Sequence, residues 1–280
     1  MYSSALTLIL VALSFEDPSS PVTITLSIVG LLMLSLFLIV EKKVTYPTLD
    51  LDLFKIRSFS AGNLTSLLNS LAFSSAPFLL TLYFQLLRGQ DALTTGILFI
   101  PMELAVLIVG PMSGRLSDRY GARGLSTLGL LFSGAALLWF GTIDTNTSYT
   151  ALTLALIASG VGRGLFISPN SSSIMGPVPP AKRGVANGVR TTVVQTAMVV
   201  SLPLSLTFMT LGMPYSQLSQ LSGGTTDLTS ENTPSFISAL HYAFSTLGIL
   251  SVLAVIPSIL RGPKIAAKTE TTDQAFNEVA

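Results

Sequence analysis

The chain has 280 residues, of which 49% are hydrophobic and only 10% charged, with a net charge of +1. A soluble domain carries about 25% charged residues, so this composition excludes a soluble globular protein and describes an integral membrane one. The absence of Cys excludes disulfides, thiol catalysis and Cys-ligated metals; one His leaves no His-rich metal site; and no basic patch with interleaved aromatics offers a nucleic-acid surface.

In chain order, Tyr2–Phe15 is apolar but shorter than the ~20 residues a spanning helix needs, and Glu16-Asp17-Pro18 ends it. No basic stretch precedes it, so no cleaved signal peptide is expected. Val22–Val40 is a full span closed by Glu41-Lys42-Lys43. Pro47–Arg57 mixes Leu, Phe and charge and predicts a short amphipathic helix on the membrane surface. Six spans follow: Phe59–Leu86, Ala92–Met112, Leu125–Gly141, Ser148–Asn170, Gly184–Leu211 and Phe236–Leu260. Pro77, Pro101 and Pro203 fall inside them, where proline kinks a helix and frees a carbonyl. Gly212–Pro234, rich in Ser, Thr and Gly, is expected to be a flexible loop, and Arg261–Ala280 a polar tail.

Basic residues test this layout. If Val40 is cytoplasmic, every Lys and Arg except Arg88, Arg163 and Arg190 falls on inside segments. The outside segments carry Glu16, Asp17, Asp91, Asp144, Asp227 and Glu231 instead. This asymmetry predicts both termini in the cytoplasm. The short stretch Gly110–Gly124 lies between two apolar runs and reads as a tight charged turn at the inner surface. In it, Asp118 is expected to cap the following helix, while Gly114 and Gly121 supply the backbone freedom of the turn.

Gly114-Arg115-Leu116-Ser117-Asp118-Arg119-Tyr120-Gly121-Ala122-Arg123 resembles the signature loop of the major facilitator superfamily, Gly-x-Leu-x-Asp-Arg-x-Gly-x-Arg/Lys, between the second and third helices of a six-helix half. Leu82-Tyr83-Phe84-Gln85 through Gly96 and Pro101, and Arg183-Gly184-Val185-Ala186-Asn187-Gly188 with Gln195, are similar to flanking segments of its fourteen-span drug:proton antiporter branch. The resemblance implies an all-α membrane protein, a helical bundle of about eight transmembrane helices representing a partial transporter. Residues 1–46 would be two linker helices, 47–58 an amphipathic segment, 59–262 the second six-helix half and 263–280 a cytoplasmic tail. The first half would be missing, making the chain a fragment, a split-gene subunit or a degenerate copy unable to transport alone. The implied function is proton-coupled efflux of small amphipathic compounds at the plasma membrane, without a cofactor. The partners are lipid, the small-molecule substrate, protons and a separate first half. A metabolite or sugar transporter of the superfamily, or a non-transporting scaffold, stands as the alternative.

Three ionisable residues lie within spans: Glu103, Arg163 and Arg190. A charge at the bilayer centre costs about 2.5–3.5 kcal/mol on insertion scales, so such groups face a cavity or a partner. Glu103 lies ~16 Å into its span at 1.5 Å per residue. It is either a proton carrier or a structural partner of an Arg. Arg163 is a cavity charge or the partner of Glu103, and Arg190 is expected to snorkel to the inner interface. Asn69, Gln85, Asn170 and Gln195, with Asn63, are polar groups on spans that line a wet cavity or bond helices together. For Gly114, Asp118, Arg119, Gly121 and Arg123 the resemblance implies a gating latch; the alternative is a topology marker and helix cap. Phe73, Phe78, Tyr83 and Phe84 are expected to pack.

Overall fold

A computed structural model describes residues 7–8, 11, 21–41, 50–222, 228–229 and 231–262. The described residues are helical, with no strand among them. The Tyr2–Phe15 run lies almost wholly outside them, as do Glu16-Asp17-Pro18, Lys42, Lys43 and the tail from residue 263. Helix α1 is Pro21–Glu41, in place of the expected Val22–Val40 span. The six later spans are all present and long and apolar enough to cross a membrane.

The first of the six is broken. It comprises α2 (Arg57–Phe73), α3 (Ala76–Leu82) and a π-helical turn, Tyr83–Leu87. Pro77 sits in the first turn of α3 and supplies no N–H, so the helix restarts there. At the break, a buried hydroxyl from another helix completes one rung of the ladder. The Ser75 N–H donates to Ser201 Oγ at 3.0 Å, and Ser201 Oγ donates to the Leu71 carbonyl at 2.7 Å. An inserted side chain of this kind is a physical cause of a helix bend. Ser201→Ala is expected to leave both backbone groups unpaired and to cost about 1–3 kcal/mol, measured as a fall in unfolding free energy in mixed detergent micelles.

Helix α4 (Ala92–Tyr120) begins at Asp91, whose carboxylate accepts from the Thr94 N–H at 3.0 Å. It runs through Pro101 and Pro111 without a break. The expected loop at Gly110–Gly124 is therefore mostly helix. The turn is Gly121 alone, with φ of 89°, a left-handed value that a glycine adopts without a side-chain clash. Asp118 belongs to the last turn of α4, and Gly121 is the N-cap residue of α5 (Ala122–Phe140). Gly114 is helical too; its role is close approach, since a Cβ there would sit 2.7 Å from Ser168 Oγ.

Helices α6 (Tyr149–Met175), α7 (Arg183–Met209), α9 (Thr233–Leu253) and α10 (Val255–Leu260) complete the bundle. The spans alternate in direction. One end therefore carries Lys55, Arg57, Arg115, Arg119, Arg123, Lys182, Arg183 and Arg261, and the other carries Arg88. Arg88 braces that second end, donating to the carbonyls of Thr145 at 2.7 Å and Thr147 at 2.9 Å. His241 bonds the Ile143 carbonyl through Nε2 at 2.7 Å.

Helix α6 is the packing centre, in extensive contact with α4 and α5. Its Gly160, Gly162 and Gly164 explain why. Gly160 and Gly164, four apart and so on one face, lie against Met102, Ala105 and Val109 of α4. Gly162 lies against Ser133 and Gly129 of α5. Small residues let backbones approach where lipid supplies no hydrophobic drive between helices. Tyr83, Phe84, Phe140, Phe236 and Phe244 fill the main apolar core, and Phe73 is buried with them.

One expected loop and one expected surface helix differ from the structure. Within Gly212–Pro234, residues Tyr215–Ser222 form helix α8, because Leu218 and Leu221, three apart, bury against the main core. The Pro47–Arg57 segment is described from Asp50; there it is one 3-10 turn, Leu51–Lys55, and does not simply lie on the surface. Leu53 inserts into a core with Phe59, Ile174 and Val189, and Asp50 pairs with Lys182 at 2.7 Å.

Candidate functional site

The close approach of α6 to α4 brings together two of the three intramembrane charges. Arg163 Nη1 lies 3.2 Å from Glu103 Oε1. The Arg163 guanidinium also lies 5.2 Å from the centroid of the Phe73 ring, a cation–π contact. Phe73 thus packs as expected and holds a cation as well. Glu103 and Arg163 fall near the middle of their helices, and Phe73 ends α2, near the middle of the broken first span. The Glu103 side chain is 60% exposed and that of Arg163 30%, so the pair opens onto a face the six spans leave uncovered. Leu104, Leu107 and Ile108 of α4 share that exposure.

Arg190 does not join them. It sits in the second turn of α7, half-buried, with its Nε enclosed and without a hydrogen-bond partner. Asn69 is buried with Oδ1 unpartnered, as is Asn63, whose Nδ2 donates to its own helix at the Phe59 carbonyl. Gln85 is half-buried in the π-helical turn, and Gln195 is exposed on α7.

Asn170 lies in a polar network that the sequence reading did not assemble. Its Nδ2 donates to Ser66 Oγ at 2.7 Å, and its Oδ1 accepts from Arg261 Nη2 at 2.7 Å. Arg261 follows directly on α10 and was read as a surface charge at the head of the tail. It is only 3% exposed. Burial pushes its guanidinium down to about 10, which still leaves a cation at neutral pH. No local signal separates this arginine from a surface one, because α2 and α6 do the burying.

The signature stretch lies at the same end. Asp118, Gly121, Arg123 and Gly124 line a cavity of about 650 Å³ together with Ser172 and Arg261. Arg119 is exposed beside the Tyr120 ring, 5.9 Å from its centroid. Gly114 lies deeper, at the α4–α6 contact. The stretch and the Glu103–Arg163 pair are therefore two separate places, one at the bundle's end and one at mid-depth. Among the described residues no group of His, Cys, Asp and Glu is arranged to hold a metal ion.

Comparison with known proteins supplies the context. The profile of the Major Facilitator Superfamily matches residues 3–202. The riboflavin transporter RibZ of Clostridioides difficile is 27% identical over 217 residues, 78% of this chain and 47% of that protein. The uncharacterized transporter YebQ of Escherichia coli is 31% identical over 184 residues, 65% of this chain and 40% of that protein. The methylenomycin A resistance protein of Streptomyces coelicolor is 30% identical over 149 residues, 53% of this chain and 31% of that protein. The chain spans less than half the length of each of these relatives.

Proposed function

The chain belongs to the Major Facilitator Superfamily, and from that premise we propose that it is the C-terminal part of a proton-coupled exporter of small amphipathic compounds. In this reading residues 1–46 are linker helices of the fourteen-span branch, residues 59–262 form the second six-helix half, and residues 263–280 are a tail. A first half, supplied by another segment or chain, completes the path. The observation that carries the reading is the Glu103–Arg163 pair. Ions at bilayer depth need water or a polar partner surface, and an alternating-access site lies near the midplane between repeats. Bare acyl chains do not suit a face with a carboxylate at its centre. The relative named for methylenomycin A resistance supports efflux; the likeness to a riboflavin transporter supports a metabolite transporter as the second reading. In the same reading the basic end faces the cytoplasm under the positive-inside rule, with both termini on that side of a plasma membrane.

Reconstitution tests this. Proteoliposomes holding the chain and a supplied first half are expected to move an amphipathic dye when a pH gradient is imposed. No flux with either half alone is expected. Gradient-independent binding without flux under all conditions would favour a scaffold. In the same assay, Asp118→Ala is expected to slow flux about tenfold while leaving insertion and the melting temperature unchanged, if the end-of-bundle stretch gates. Loss of insertion would instead mark a structural residue.

A further inference from the structure

Arg163 is held by two neighbours that differ in kind. One is Glu103, whose Oε1 lies 3.2 Å from Nη1. The other is the Phe73 ring, with its centroid 5.2 Å from the guanidinium carbon. A proton on Glu103 removes the ionic part of the first attraction, whereas the quadrupole of a phenyl ring does not titrate. Among the described residues, the helices packed against α4 and α6 add no further charge at mid-span. Residues 58–87 carry none, α5 has only Arg123 in its first turn, and α7 has Arg183 and Arg190 in its first two turns.

The ring is itself fixed from two sides. The Phe73 side chain is 5% exposed and belongs to the main apolar core. Its backbone is bracketed by Ser201 of α7, whose Oγ donates to the Leu71 carbonyl two residues before it and accepts from the Ser75 N–H two residues after it. Pro77, four residues on, has no N–H to offer the Phe73 carbonyl, and α2 ends at this residue. A group held by packing and by its backbone in this way can orient a neighbour.

We propose that Phe73 is a positioning residue of the ion-pair site, its ring holding the Arg163 guanidinium against α4 whether Glu103 is charged or neutral. This rests on the reading of Glu103 as the proton-exchanging group. Were Glu103 the sole holder, each protonation would release a cation at bilayer depth, where an unpaired charge is costly, and the pair would have to form anew in every cycle. With the ring in place, the carboxyl gains and loses its proton beside a cation that stays put. The ring meets the guanidinium, so it acts through Arg163 and sets turnover, with substrate affinity unchanged.

The test replaces Phe73 by phenylalanines bearing one, two or three ring fluorines, which keep the ring's shape and progressively weaken its π face. Cyclohexylalanine keeps the bulk and has no π face. Unfolding of the full chain in mixed micelles is measured in the native, Glu103→Gln and Arg163→Gln backgrounds. The fluorine series is expected to lower the folding constant about fivefold in the native chain. It should do so at least as strongly in Glu103→Gln, where the ring is the remaining holder, and not at all in Arg163→Gln. A flat series in the native chain, or one just as steep in Arg163→Gln, overturns the contact. A series that goes flat in Glu103→Gln overturns the holding of Arg163 in the neutral state. The fluorinated rings are nearly isosteric, so they decide even if the cyclohexyl variant fails to fold. In proteoliposomes with the first half supplied, gradient-driven turnover should fall in the same order, about tenfold across the series, at an unchanged half-saturating dye concentration. Turnover indifferent to the series overturns the positioning role. Absence of flux with native Phe73 counts against the exporter reading alone, and the folding series then decides whether the ring holds Arg163.

Discussion

Gly160→Leu is expected to be the most destabilising single change in the bundle. A Cβ at this position would collide with the Met102 carbonyl and lie 2.8 Å from the Ala105 methyl. Overpacking of a core costs about 1–3 kcal/mol when side chains can yield. Here the obstacle is the backbone of α4, which no rotamer change relieves, so the cost should reach or exceed the top of that range. The Glu103–Arg163 distance would open as the helices separate. The measurement is unfolding in mixed micelles, with Gly96→Ala as the control. Gly96 is exposed in the first turns of α4, with nothing within 4 Å of an added Cβ, and the substitution should be neutral or stabilising by about 0.5–1 kcal/mol. Equal stability of Gly160→Leu and the native chain would show that α4 and α6 do not pack as described.

Glu103→Gln carries the largest expected functional effect. In the reconstituted system it should reduce pH-gradient-driven flux about a hundredfold, because glutamine can neither take up nor release a proton. It also leaves Arg163 without its ionic partner, and an unpaired charge at bilayer depth destabilises by itself. The double variant Glu103→Gln with Arg163→Gln separates the two effects. It removes the orphaned charge and should recover stability. If the pair serves only structure, flux recovers with it; if Glu103 exchanges the proton, flux stays low. Undiminished gradient-driven flux in Glu103→Gln alone would end the proton-carrier reading.

The sequence located all six later spans, since each is a long apolar run and hydropathy sums locally, but it ended the second at Met112, eight residues short of Tyr120. It misjudged segments where few residues decide. Leu218 and Leu221 turned an expected loop into helix α8, and Leu53 drew an expected surface segment into a core. The signature stretch was recognisable by its spelling, yet its charges proved to lie on the last turn of α4, because one glycine is enough to reverse the chain. Glu103 and Arg163 stood out as ions in apolar text, with their pairing left open. Arg261 did not stand out, because a basic residue after a span is the normal mark of an interface.

The amino-acid sequence alone determined that lipid is the chief solvent of this chain, how many later segments cross it, and that positive charge gathers at one end. These properties depend on the length and polarity of contiguous residues. Only the tertiary structure decided that Glu103 meets Arg163, that Ser201 completes a rung of another helix, and that Arg261 is buried against Asn170. Each of these depends on which faces of helices distant in sequence come together, and glycines that let backbones touch set those faces.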